Sequence, residues 1–471
     1  MHLGSDRALG RGIGISAARA RGAAVWRIAQ WRPEEADAVL YAGSALFAEL
    51  TARLSSISLY RQWGELALGP YLLAAVLSAL VARSRRVAAA AELEASGGPA
   101  AGAPPPAPAR RPWGPMRIWI FVFVLVGATL LPLCLEVSWR AEGDPTAHVQ
   151  PETVVVEQAA HLEARGDDPY RLVTNRGRLV DVVKGEPTYE SFFPYLPLMG
   201  LFGLPSSTKE PIRLTDARIF FSMATILVVA VALGLSRGSG ESRVRTLQVL
   251  TVLPTAALPL ATGGDDMPIA AFLLLAMVLA QRRQPGWSGF VLGVVASMKF
   301  TAWPLAALAL FAARDRNGRR APGAMLMGMA VVAGPVVVPF ILRGPHAFFE
   351  NVILFPLGLS GVASPAASPL IGHLLVSAFP SLHRILPLTL ALVGGALLVA
   401  HLVRHPPTDA RGVLVLTGWV TLAVFTLAPS TRVGYLLYPV NFFVWSALVR
   451  DGGTAASEVG APLRVLSAQS V

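Results

Sequence analysis

Cysteine is nearly absent: Cys134 is the single one in 471 residues. That excludes an intramolecular disulfide and any cysteine-based metal centre, and at the end of an apolar run the thiol reads as a small buried hydrophobe. Charge is scarce as well, at 15% of residues against 54% hydrophobic ones, with a mean hydropathy of +0.54. Such a chain is too apolar for a soluble globular protein, and its apolar runs reach the ~20 residues needed to cross ~30 Å of hydrocarbon. Missing too are a Walker loop and a dinucleotide-binding glycine fingerprint, so no nucleotide cofactor is expected. The net charge of +11 does not point to nucleic acid. Its arginines come in short clusters between apolar runs, where they set topology, and no nucleic-acid partner is expected.

What the chain has instead is an alternation of apolar spans and basic clusters. Residues 1–37 carry Arg7, Arg11, Arg19, Arg21, Arg27 and Arg32 without an apolar core long enough for a signal peptide, and read as a cytoplasmic lead. Residues 38–86 hold two apolar runs, 38–54 and 66–81, which predict an accessory transmembrane hairpin ending in Arg83, Arg85 and Arg86. An Ala/Gly/Pro-rich stretch, 87–116, reads as a cytoplasmic linker. The main transmembrane domain, 117–450, begins with the run 118–135 and ends with 433–449, before a cytoplasmic tail at 451–471. Within it, 286–313 is bounded by basic clusters on both sides, which predicts two short helices broken near Lys299 and Phe300. The run 195–204 is too short to span. The expected fold is therefore all-α: a polytopic bundle of about twelve spans in a cell membrane, with both termini cytoplasmic and a large extracytoplasmic first loop.

That loop, around 148–197, is the most informative stretch. Glu152, Val155, Ala159 and Leu162 recur at helical spacing, so a short helix carries Glu152 and Glu157 just before a turn made by Gly166, Asp167, Asp168, Pro169 and Tyr170. Under the expected topology Asp265, Asp266, Lys299 and Arg432 gather at the same outer face. Each has a plainer reading. Asp265 and Asp266 suit the N-cap of a following helix, Lys299 a side chain snorkelling to the interface, and Tyr195 an interfacial anchor. Arg432 is the least expected, because positive residues are disfavoured at outer ends.

Four stretches in order, AAHLEARGDDPYRL, SFFPYLPLMGLFGLP, ATGGDDMPIAAFLLLAMVLAQRR and GFVLGVVASMKFTAWPLAALALF, resemble glycosyltransferase family 87, of the GT-C class. The resemblance is best over 118–313. It implies a GT-C-like membrane hexosyltransferase that takes a mannose-like sugar from a polyprenyl-phosphate donor to a glycan or glycolipid acceptor of the cell envelope, with membrane lipids around it. It implies a loop carboxylate as base, at Glu152, where the family's aspartate is expected relative to Tyr170; Glu157 competes for the role. Lys299 matches the family's lysine, and with Arg432 it is the candidate for the donor phosphate. Asp168, Tyr170, Tyr195, Asp265 and Asp266 are the remaining candidate substrate-binding residues. The chemistry suits these residue types: a carboxylate takes the acceptor's proton, and cations stabilise a phosphate leaving group. Whether a divalent metal sits between Glu152 and Asp265 or Asp266 is open. The competing reading is a transporter or flippase of a lipid-linked substrate, which also uses many spans and intramembrane charge; a non-catalytic scaffold comes third.

Overall fold

The structure, a computed structural model, describes residues 32–95, 114–170, 192–316, 321–360 and 366–449. The expected lead, most of the linker and the tail lie outside the described residues. So do residues 171–191 of the first loop.

The chain opens with α1 (Pro33–Leu54) and α2 (Ser58–Ala95), which pack against each other as a helical hairpin. A Cβ on Gly64 would meet the Ala48 carbonyl oxygen at 2.6 Å, so glycine is what lets the two helices touch. The second helix continues past Arg86 to Ala95. Next comes α3 (Pro115–Glu142), whose middle, Leu125–Leu130, is a π-helical turn. This widened turn packs Gly127 against Pro70 of α2, and the Ala128 carbonyl there accepts a hydrogen bond from Trp63 Nε1 at 3.0 Å. On α3, Cys134 is exposed. The expectation of a buried thiol fails because it took an apolar run to mean a protein interior, whereas a lipid-facing helix is apolar on its outside.

After a short helix α4 (Pro151–Ala164) and a 3-10 helix (Pro197–Ser207), the bundle resumes with α5 (Ala217–Leu235), α6 (Gly240–Thr251) and α7 (Pro254–Thr262). Pro254 lacks an N–H and interrupts the ladder between α6 and α7. The carbonyls at that break are taken by side chains from elsewhere: Thr251 by Thr129 at 2.8 Å and Val252 by Tyr71 at 2.5 Å. Then follow α8 (Asp266–Gln281), α9 (Pro285–Ala296) and α10 (Trp303–Arg316), with the chain breaking at Ser297 to Ala302 between the last two. The C-terminal part holds α11 (Ala321–Arg343), α12 (Ile385–Arg404), α13 (Ala410–Leu427) and α14 (Leu437–Leu448). Short helices at Pro345–Phe349 and Ile371–Ala378 lie between α11 and α12.

Among the described residues, seven helices are long and apolar enough to cross a membrane. Five segments of the expected twelve fall outside that set, for two reasons. Four apolar segments, Asp266–Gln281, Pro285–Ala296, Phe300–Ala313 and Val433–Leu448, are shorter, and 16 residues of α8 rise only about 24 Å against ~30 Å of hydrocarbon. The helix α1 carries Glu34, Glu35 and Asp37 in its first turns and Glu49 and Arg53 in its last ones. Those short helices are also the most enclosed ones: α8 is buried almost throughout, whereas α11 and α12 bury almost nothing and present Leu326, Met327, Val331, Leu392 and Leu397 outward as a bilayer-facing surface.

Candidate active site

The site is built where α4 meets the turn between α7 and α8. Pro151 starts α4, and the residue before it is fastened to the end of α7: Gln150 N donates to the Thr262 carbonyl at 2.9 Å and its side-chain amide to Thr262 Oγ1. One turn on, Thr153 Oγ1 donates to the Gly263 carbonyl at 3.2 Å. Gly263 has φ +111°, and a Cβ there would lie 2.2 Å from Thr153 Oγ1, so both backbone conformation and close approach demand glycine. This junction sets Glu152 beside the acidic pair that opens α8.

Asp265 and Asp266 do not cap α8 with their side chains. They turn instead to Lys299, whose Nζ donates to Asp265 Oδ1 at 2.8 Å and to Asp266 Oδ1 at 2.6 Å. The break between α9 and α10 makes this reach possible, and it is held in place by Leu196 N and Leu198 N, which donate to the Met298 and Ser297 carbonyls, both at 2.9 Å. Tyr438 OH also donates to Asp266 Oδ1 at 2.6 Å, and lies 2.8 Å from Thr301 Oγ1. The Lys299 ammonium stands 5.3 Å from the ring centre of Tyr195 and 5.9 Å from that of Tyr435. Burial alone would lower the Lys299 pKa, but the two aspartates hold it above its ordinary value. Burial pushes the Asp265 carboxyl up, against the pull of Lys299, with Asp266 and Glu152 adding to the rise. Its Oδ2 is buried and has no hydrogen-bond partner among the described residues.

Glu152 is buried and pairs through Oε1 with Arg432 Nη1, while its Oε2, also buried, has no partner among the described residues. Arg432 is placed by a short cross-connection in which Thr431 N donates to the Ala366 carbonyl at 2.7 Å and Ser368 N to the Thr431 carbonyl at 2.9 Å. Tyr60, near the start of α2, lies within electrostatic range of both Glu152 and Arg432. Two cations therefore face three carboxylates, two of which keep a buried oxygen without a partner. Where a divalent ion would bridge Asp265 and Asp266, the ammonium of Lys299 already sits. Among the described residues no group of three His, Cys, Asp or Glu is arranged to hold a metal.

The other expected residues lie elsewhere. Glu157 is clasped by Arg140 through two hydrogen bonds of 3.0 and 2.6 Å and accepts from Ala217 N at 3.0 Å. Arg140 also binds Asp216, which binds Arg218, so Glu157 belongs to a buried ion network that docks α4 on α5. Asp168 Oδ1 accepts from Tyr170 N at 3.0 Å, an Asx turn. Tyr170 is fully buried among Phe193, Phe340 and Phe348 and touches the site only through its hydroxyl, which donates to the Tyr195 carbonyl at 2.7 Å. Sequence reasoning did not single out Tyr435, Tyr438 or Thr301; the i, i+3 spacing of the two tyrosines just after Arg432, which puts them on one face, is the signal that could have found them.

The model of glycosyltransferase family 87 matches residues 193–430. That range contains Tyr195, Asp265, Asp266 and Lys299, starts beyond α4 with its Glu152, and stops two residues short of Arg432. No curated protein and no solved structure matches the chain.

Proposed function

Because the chain belongs to glycosyltransferase family 87, we propose that it moves a mannose-like sugar from a polyprenyl-phosphate donor to a glycan or glycolipid acceptor of the cell envelope. The observation that carries this reading is the Glu152–Arg432 pair beside the Asp265–Asp266–Lys299 cluster: an enclosed carboxylate and a partly open guanidinium at one end of the bundle. In the step proposed, the acceptor's hydroxyl oxygen attacks the anomeric carbon, and the bond from that carbon to the phosphate oxygen breaks. The electron pair leaves with the polyprenyl phosphate, and the hydroxyl proton passes to Glu152. Arg432 stabilises the charge that grows on the leaving phosphate, for which a guanidinium offers a planar, two-pronged donor. Lys299 is already committed to two aspartates, so its contribution runs through them: it fixes Asp265, whose open Oδ2 is an acceptor for a sugar hydroxyl. No nucleotide is needed for a donor already activated as a lipid phosphate.

A transporter would carry its charges near the bilayer midplane. Here Glu152, Asp265, Asp266 and Arg432 gather beside Thr262, the last residue of the span Gly240–Thr262, which favours the transferase. The test is incubation of the purified protein with labelled polyprenyl-phosphate mannose and a panel of other polyprenyl-phosphate sugars. Transfer or hydrolysis is expected, and Glu152→Gln should lose it by roughly 10²–10⁴-fold while still binding donor. Complete inertness toward the whole panel would sink the proposal.

A further inference from the structure

Glu152 is bonded to the group that its donor needs. Arg432 reaches Glu152 Oε1 with its guanidinium, and the two partners differ in accessibility: the Arg432 side chain is 29% exposed and that of Glu152 8%. The two halves are also anchored differently. It sits on the first turn of α4, which Gln150 and Thr153 tie to the α7–α8 turn, whereas Arg432 extends a long side chain from a loop between α13 and α14. In this arrangement Glu152 keeps one oxygen without a partner and shares the other with Arg432. A phosphate entering from the open side meets the guanidinium before it meets the carboxylate. One guanidinium fork cannot serve both anions in full, and phosphate offers it more acceptor oxygens and more charge.

We propose that the donor's phosphate displaces Glu152 from Arg432, so that both oxygens of the base are free of the guanidinium only when the donor is bound. The proposal rests on the transferase reading, since it takes the arriving anion to be the donor's phosphate. Before donor binding, Arg432 holds Oε1 of Glu152 and leaves only Oε2 without a partner among the described residues. After exchange, Glu152 faces the acceptor with both oxygens. Acceptor activation is thereby tied to the presence of the group to be transferred. The Lys299 cluster does not take part, because its ammonium stays on Asp265 and Asp266.

Competition for one cation has a signature that a general base alone lacks: removing the carboxylate should tighten phosphate binding. The probe is farnesyl phosphate, a lipid phosphate without a sugar, titrated into detergent-purified full-length protein. Glu152→Gln is expected to bind it about tenfold more tightly than wild type. Glu152→Asp, one methylene shorter and less able to reach Arg432, should tighten it to a smaller extent and serves if the glutamine variant does not fold. Arg432→Gln should bind poorly, and adding Glu152→Gln to it should restore nothing. Inorganic phosphate should show the same direction at weaker affinity, and farnesol no effect. Equal or weaker binding by Glu152→Gln overturns the exchange. So does the same tightening in the Arg432→Gln background, which would mean simple charge repulsion, or tightening toward farnesol, which would mean a more apolar cavity. Sugar transfer by wild type is scored separately: transfer without tightening keeps the enzyme and removes the exchange, and tightening without transfer keeps the exchange and removes the enzyme.

Discussion

Glu152 and Glu157 are five positions apart on one helix, about 140° around it, and the fold uses the two sides differently. Glu152 looks into the acidic cluster with one oxygen open, whereas both oxygens of Glu157 are bound, to Arg140 and to the start of α5. Glu157→Gln should therefore cost stability, by about 3–5 kcal/mol if it strands Arg140 as broken buried pairs do, with turnover per folded molecule within a few-fold of wild type. Glu152→Gln should do the opposite, keeping the melting point and losing turnover. Thermal melting in detergent, paired with rates normalised to folded protein, separates the two; a Glu157 variant that melts normally but is inactive would make it the base. A third carboxylate on the same helix gives a pH prediction. Burial, with Asp168 adding to it, raises Glu163 from 4.5 to about 7, and its Oε1 has no partner among the described residues. An acid whose folded pKa is raised destabilises the fold as pH rises from the unfolded value through the folded one, and carries the full penalty above about 7. Glu163→Gln should accordingly raise the melting point at pH 8 and leave it unchanged near pH 4.5. A gain independent of pH would show that the charge of Glu163 is not what costs stability.

At the scale of elements, the short helices are held by backbone contact. The pair α9 and α11 meets at glycines: a Cβ on Gly289 would lie 2.0 Å from the Met325 carbonyl oxygen, one on Gly293 2.6 Å from that of Met329, and one on Gly328 2.3 Å from that of Gly286. Small residues four apart allow this approach, and packing between helices in lipid depends on it. Gly289→Ala should lower the melting point sharply, because backbone cannot yield as a side chain tip can, whereas Gly334→Ala, with nothing within 4 Å of its Cβ, should be neutral or slightly stabilising. Equal melting of the two variants would contradict this packing. Much at this scale was legible in the sequence. Apolar runs between arginine clusters mark the helices, Glu152, Val155, Ala159 and Leu162 mark α4, and basic clusters flanking 286–313 mark the break beside Lys299. What periodicity cannot encode is contact between distant segments. Asp265 and Asp266 read as helix caps because a cap needs only local sequence; their turn toward Lys299, more than thirty residues on, depends on where α9 ends. The Glu152–Arg432 pair, 280 positions apart, has no local trace at all. The lengths of single helices were not legible for a related reason: composition reports how apolar a run is, and Pro285 and the Ser297 break decide how much of 286–313 is one helix.

The whole molecule has two charged ends, and their separation predicts which way it faces. At one end Arg117 binds both Asp37 and Glu241, Arg245 binds Asp37, and Arg85 and Arg86 bind Glu34 and Glu35, so that α1, α2, α3 and α6 are tied together. Arg243 and Arg282 cap the carbonyls of Ser236 and Leu235 at the same end. From there the segment Gly240–Thr262, 23 residues, rises about 35 Å to Thr262 in the candidate site. A span of that length is expected to set the ion cluster and the site on opposite sides of a bilayer about 30 Å thick. Arginine and lysine accumulate on the cytoplasmic side of membrane proteins, which predicts a cytoplasmic arginine-rich end and an outer face that carries Glu152, Lys299 and Arg432. The protein allows a direct test, since its single thiol can be removed by Cys134→Ala. In that background Lys209→Cys, exposed on the site side beyond the 3-10 helix, should react with an impermeant thiol reagent in intact cells, and Arg237→Cys, exposed between α5 and α6, only after permeabilisation. The reverse pattern would turn the molecule over, and the proposed transfer would then have to draw its lipid-phosphate donor from the cytoplasmic leaflet.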